Sequence, residues 1–274
     1  MSFRISSNVT SLAAQRYLSQ AQRSAEKSQI ALASGRRVVN AGDDAAGFAI
    51  SESLRGQLSG TRQAKMNAEN AVSLIQTAEG GLNEQNNILV RLRELAVYSA
   101  SDTIGDEERE YLDKEYQALT SELDRIAKTT NFGNKRLLTG TGEEFQFHVG
   151  AFRGPENTIS FKLDADTTAA NLGVDGLSIT DQDDALDNLE DIDTALQQVA
   201  GARATFGAMQ SRFQHTIDHL QVQADNLDIA RSNIVDVDVA KEVTNMVQNQ
   251  ILQEAGIAVL AQAKQDARRV VDLI

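Results

Sequence analysis

The stretch NLDIARSNIVDVDVAKEVTNMVQNQILQEAGIAVLAQAKQDARRVVDLI, residues 226–274, decides how the rest of the chain is read. It holds no proline, and Leu252, Gly256, Val259, Ala263, Ala267, Val270 and Ile274 recur at steps of three and four, the spacing that lines one face of a helix. Most of these side chains are small. The run Ile257 to Leu260 is apolar on every side, which a helix wetted on one face has no use for. A terminal helix of this kind cannot bury itself alone, so partner helices are expected. The N-terminal forty residues have matching properties, and the two ends are expected to meet and form the part that assembles with copies of itself.

Working outward, Ala14, Leu18, Ala21, Ala25, Ser28 and Leu32 predict a helix from about Ser6 to Ala33 with a narrow seam of small residues. Ser34-Gly35 suits its end, since glycine accepts the left-handed conformation of a C-cap. Asp43 and Asp44 stand where negative charge favours a helix start. A second helix from about Ala45 to Ala100 carries Leu54, Leu58, Thr61, Ala64, Ala68, Val72, Ile75, Ala78 and Leu82, eight steps over 28 residues. That 3.5-residue period is the coiled-coil repeat. At 1.5 Å per residue such a helix is roughly 80 Å long, so a rod is expected.

Ser101 to Gly105 reads as a turn, and Asp106, Glu107 and Glu108 open a third helix to about Lys128, with Leu112, Tyr116, Leu119, Leu123 and Ile126 inward. Between Thr130 and Thr180 the composition shifts to Asn, Gly and Thr and includes the only proline, Pro155. There Phe145, Phe147 and Val149 alternate, as do Ile159, Phe161 and Leu163, which predicts a β-hairpin. From near Thr180 a further helix carries a seam of eleven steps over 38 residues, from Leu189 and Ile192 through Phe206 and Phe213 to Ala224 and Leu227. Its period matches that of the Ala45–Ala100 helix, and the two are expected to pair. The Ile234–Asp238 segment interrupts the pattern before the last helix resumes near Val239. The fold class is therefore mainly α: a long antiparallel helical coiled-coil rod formed by the N- and C-terminal segments, with a small β-hairpin region in the middle. Residues 1–44 with 235–274 are expected to form an inner terminal domain, the assembly core, and residues 45–234 an outer helical domain that includes the hairpin region at about 140–180.

A formal charge of −13 and a pI near 4.7 argue against nucleic acid, which requires clustered Lys and Arg. An aromatic share of 5% with no Trp is low for a compact enzyme. Cysteine is absent, so disulfides and thiolate metal sites are excluded. No window is apolar enough for a membrane span, and MSFRISSNVTSLAAQ is not an ordinary secretory signal, so the residues alone read as cytoplasmic. His215 and His219 in HTIDH have a spacing zinc could use, but Thr216 stands where a zincin needs Glu, and the pair reads as solvated helix surface. Asp164, Asp166 and Asp175 loosely echo a calcium loop, but Ala169 occupies the place of its glycine. Gly140-Thr-Gly142 lacks the third glycine and the crossover unit of a nucleotide site. No catalytic residue, cofactor or metal is expected.

The chain resembles bacterial flagellins. The segments LASGRRVVNAGDDAAGFAI, NAENAVSLIQTAEGGLNEQNNILVRLRELAVYSAS and TTNFGNKRLL are similar to that family's N-terminal signature, and QSRFQHTIDHL with residues 226–263 to its C-terminal one. The resemblance implies a short form without the large variable outer domains, a structural subunit of the swimming filament that self-assembles into a helical homopolymer. It also implies an extracellular location reached through the flagellar type III apparatus without a cleaved signal peptide. The partners it implies are copies of the chain, an export chaperone, the filament cap protein and the hook-filament junction protein. The family's toll-like receptor 5 surface falls on Arg91 and Leu95 in LVRLREL and Glu115 in DKEYQ. Arg36 departs from the family pattern, which has an apolar residue there. The subunit-assembly seam is read as Leu18, Leu32, Leu252, Val259, Leu260 and Val270, with the ends unpaired until neighbouring copies supply the missing surface. Two rivals are a hook-filament junction protein and a cytoplasmic signalling coiled coil of the chemoreceptor type.

Overall fold

The computed structural model describes residues 8–271, with side chains through residue 265. Ala267, Val270 and Ile274 of the predicted terminal face therefore lie outside the described side chains. The chain is mainly α, with helices α1 (Val9–Ser34), α2 (Ala45–Ser99), α3 (Asp106–Thr129), α4 (Gln182–Val235) and α5 (Val239–Val271). It divides into two compact units: Met1–Gln57 with Asn226–Ile274, and Leu58–Asp225. Both divisions fall inside the long helices α2 and α4, whereas the sequence reading placed the boundaries at their outer ends.

In the first unit α1 packs against α5. Asn8 caps α1 by accepting the Ser11 amide at 3.0 Å, and Gly35 closes it in the left-handed conformation at φ +69°. A crossing of two loops follows: the Arg37 amide donates to the Val235 carbonyl at 2.6 Å and the Val237 amide to the Gly35 carbonyl at 3.1 Å. These bonds satisfy backbone groups freed where α4 stops. Val38 and Val235 are buried at the crossing. Arg36 sits there as an exposed residue bridged through its backbone to Asp236, so its charge stays in water. Asp44 then caps α2 through the Gly47 amide at 2.9 Å.

In the second unit α2, α3 and α4 form an antiparallel bundle. Arg93 and Asp193, Glu79 and Arg203, and Lys65 and Gln221 pair α2 with α4 in opposite directions. The seam positions Leu58, Thr61, Ala64, Ala68, Ile75, Ala78 and Leu82 of α2 are buried, as are Ile192, Val199, Phe206, Phe213 and Leu220 of α4. Strands β3 (Glu144–His148) and β4 (Thr158–Lys162) form the predicted hairpin, with Phe145 opposite Phe161 and Phe147 opposite Ile159. Its aromatic face meets α4: Phe147 stands edge-on to Phe213 with centroids 5.4 Å apart, and Phe161 lies 5.5 Å from Phe206. A second, smaller hairpin of β1 (Asn131–Phe132) and β2 (Lys135–Arg136) turns at Gly133, φ +61°. The sequence reading missed it, although Gly-Asn between short runs is a hairpin signal.

Candidate assembly surface

The α1–α5 pair is antiparallel and close because small residues fill its seam. Ala14, Ala21, Ala25, Ser28 and Ala31 of α1 are buried, and Leu18 and Leu32 are half-buried beside them. Opposite them, Gln253 donates its side-chain amide to the Ala21 carbonyl at 3.2 Å, Ser28 donates to the Glu242 carboxylate at 2.6 Å, and Asn8 donates to the Ala263 carbonyl at 3.0 Å. A Cβ on Gly256 would lie 3.5 Å from the Leu18 side chain. The face that α5 turns toward α1 therefore runs through Glu242, Gln253, Gly256, Leu260 and Ala263.

Two of the predicted residues lie beside this face instead of on it. Leu252 and Val259 are 51% and 57% exposed. Gln253, beside Leu252, is on the side toward α1 and donates to its backbone, so Leu252 and Val259 fall off that side. α1 and α5 are thus paired with one another. What stays unburied is the outer side of the pair, where Val9, Leu12, Tyr17 and Ile30 of α1 and Val239, Val243, Val247, Ile251 and Ile257 of α5 are exposed. The sequence reading named only part of this surface. Its signal was present in Val239, Val243, Val247 and Ile251, four β-branched residues at strict steps of four.

Of the residues that the resemblance assigned to a receptor surface, two are exposed and one is buried. Arg91 and Glu115 are exposed and bonded across α2 and α3 at 2.9 Å, and Arg91 also bonds Glu94 at 3.0 Å. The two carboxylates, Glu94 first, hold the guanidinium pKa above its ordinary value. Leu95 is 2% exposed and belongs to the core of the bundle. Its side chain is buried, in contrast to the exposed Arg91 and Glu115. His215 and His219 stand exposed on α4. Asp166 accepts from the Thr168 amide and hydroxyl at 3.1 and 2.8 Å and so shapes a turn. Gly140 approaches it so closely that a Cβ would fall 2.4 Å from the Asp166 Cβ, which explains that glycine without a nucleotide. Among the described residues no helix is long and apolar enough to cross a membrane.

Comparison with known proteins agrees with this architecture. Residues 5–143 match the bacterial flagellin N-terminal helical region and residues 189–274 the bacterial flagellin C-terminal helical region. A flagellin of Halalkalibacterium halodurans is 41% identical over 257 residues, covering 94% of this chain and 93% of its own. A flagellar filament 33 kDa core protein of Treponema phagedenis is 38% identical, covering 98% of this chain and 99% of its own. The crystal structure of Bacillus cereus flagellin superposes with a TM-score of 0.51 at 31% identity, over 61% of this chain and 94% of that one. With both terminal regions matched and relatives aligned along almost their whole length, the chain belongs to the bacterial flagellin family.

Proposed function

We propose that the bare outer side of the α1–α5 pair is the surface on which copies of this chain pack against one another. The chain is a structural subunit of the flagellar filament, located outside the cell, and not an enzyme. The observation that carries the assembly reading is the set of large apolar side chains left exposed along both helices. A fully buried Val, Leu or Ile is worth about 1.5–3 kcal/mol, so half-exposed ones offer about 1 kcal/mol each. Association itself costs roughly 4–15 kcal/mol in lost freedom. One neighbour covering a few of these residues is therefore not enough, and a helical polymer, in which each copy touches several others, is the arrangement that uses them. Residues 1–44 with 235–274 act as the assembly core in this reading, with Leu18, Leu32 and Leu260 holding the pair together and Leu252 and Val259 meeting neighbours.

The test compares Val259→Asp with Leu260→Asp in salt-induced polymerisation followed by sedimentation. The first is expected to keep the monomer's helix content and lose the sedimenting polymer, and the second to lose both. Normal filaments from Val259→Asp and Ile251→Asp proteins would rule the surface out.

Further partners follow from the family alone: an export chaperone, the filament cap protein and the hook-filament junction protein, with export through the type III route and no cleaved signal. Toll-like receptor 5, where it is met, would contact Arg91 and Glu115 of the monomer. A junction-protein role is disfavoured because curated filament proteins align with this chain along nearly its full length.

A further inference from the structure

The two histidines of α4 have properties that neither the bundle nor assembly requires. His215 and His219 lie four residues apart on one helix, so their Cβ atoms are separated by about 5–6 Å on the same face. Both are exposed, and both line one shallow concavity of about 530 Å³ with Ala208, Ser211, Arg212 and Thr216. The polar groups around them are engaged elsewhere: Thr216 bonds the Arg212 carbonyl at 3.0 Å, and Asp218 accepts from Gln214 at 3.1 Å. Neither imidazole takes part in a hydrogen bond or ion pair among the described residues. The two exposed side chains thus stand one helical turn apart on one face of α4.

We propose that His215 and His219 form a two-nitrogen site for a borderline divalent transition metal, with copper(II) bound most tightly and zinc(II) more weakly. Imidazole nitrogen at 2.0–2.1 Å is the ordinary ligand of such ions, and the affinity order follows the Irving–Williams series. The site takes two ligands from the helix and completes its coordination with water, since among the described residues no group of three His, Asp or Glu side chains is placed to hold an ion. With Thr216 where a zincin carries its general base, the site binds and does not activate water for attack. Arg212, one turn before His215, opposes the cation, and the chain's charge of −13 favours it. Hard ions such as magnesium prefer oxygen and should not compete. Bound across one turn, the metal cross-links α4 and stabilises it.

The experiment is a copper(II) titration of the full-length monomer, followed by electron paramagnetic resonance and by thermal unfolding. His148 lies on strand β3, and the His148→Ala variant serves as the internal control. One equivalent with nitrogen coupling is expected in the native and His148→Ala proteins, together with a rise in the unfolding temperature. Affinity should fall by at least about tenfold in His215→Ala and in His219→Ala, with circular dichroism showing the helix intact. Excess magnesium should leave the signal unchanged. Binding that persists in both single variants, or that disappears with His148, would overturn the assignment, as would no binding at tens of micromolar copper.

Discussion

Gly80 and Gly81 are neighbours in the middle of α2 with opposite surroundings. A Cβ on Gly80 would meet nothing within 4 Å, whereas one on Gly81 would fall 2.7 Å from the Thr130 hydroxyl and 2.9 Å from the Leu138 side chain. Helix propensity alone favours alanine at either by about 1 kcal/mol. Gly80→Ala should therefore stabilise the protein by about that amount. Gly81→Ala should destabilise it by about 1–2 kcal/mol, because Thr130 and Leu138 must move; urea unfolding of the two variants separates the cases. Tyr116 is a second instance. Its ring is fully buried, yet its hydroxyl has no hydrogen-bond partner among the described residues. Burial, with Asp113 and Asp191 adding to it, pushes the phenol pKa up to about 12. The folded state thus keeps its proton while the unfolded chain, near pKa 10, loses it, so stability present below pH 10 falls as pH rises toward 12. Tyr116→Phe should stabilise the protein by about 1 kcal/mol at neutral pH and flatten that alkaline loss.

At the scale of elements, long helices were legible because their period is written in every seam residue, and α2 ends within one residue of its expected limit. The hairpin was legible from alternation. The β1–β2 hairpin was not, since two-residue strands are too short to show a period. The burial of Leu95 was not legible for a different reason: motif alignment transfers residue types, while burial depends on how the helices pack. The α1–α2 connection offers a test. Asp43 is held below its ordinary carboxylate pKa by the Lys27 ammonium first and by the Asn40 and Val39 amides; the ion pair is 2.9 Å long. A carboxylate with a lowered folded pKa contributes stability above its ordinary pKa and loses it as pH falls through the lowered value. Lys27→Met should therefore reduce stability at pH 7 and have little effect near pH 2, and added salt should narrow the difference, because Lys27 is largely exposed. The helix seam between α1 and α5 is equally specific. Gly256→Ala should be tolerated, since its Cβ would sit at ordinary contact distance from Leu18, but Gly256→Phe should force the pair apart and abolish polymerisation.

For the whole molecule, assembly balances apolar burial against charge. A monomer carrying −13 repels its copies, and salt screens that repulsion within about 10 Å at 0.1 M. Raising salt from about 0.05 to 0.5 M should lower the concentration at which filaments appear, as light scattering would show; filament growth insensitive to salt would mean that the acidic groups lie far from every contact. The helical class, the positions of the helices, the central hairpin and the expectation that the two ends meet were all determined by the sequence, because period and turn chemistry act locally. Only the tertiary structure decided which stripe of α5 faces α1, since Gln253, Ser28 and Asn8 find their partners more than two hundred residues away. A helix with apolar residues on several sides has more than one face it could bury, and these long-range polar bonds choose one and leave the other bare.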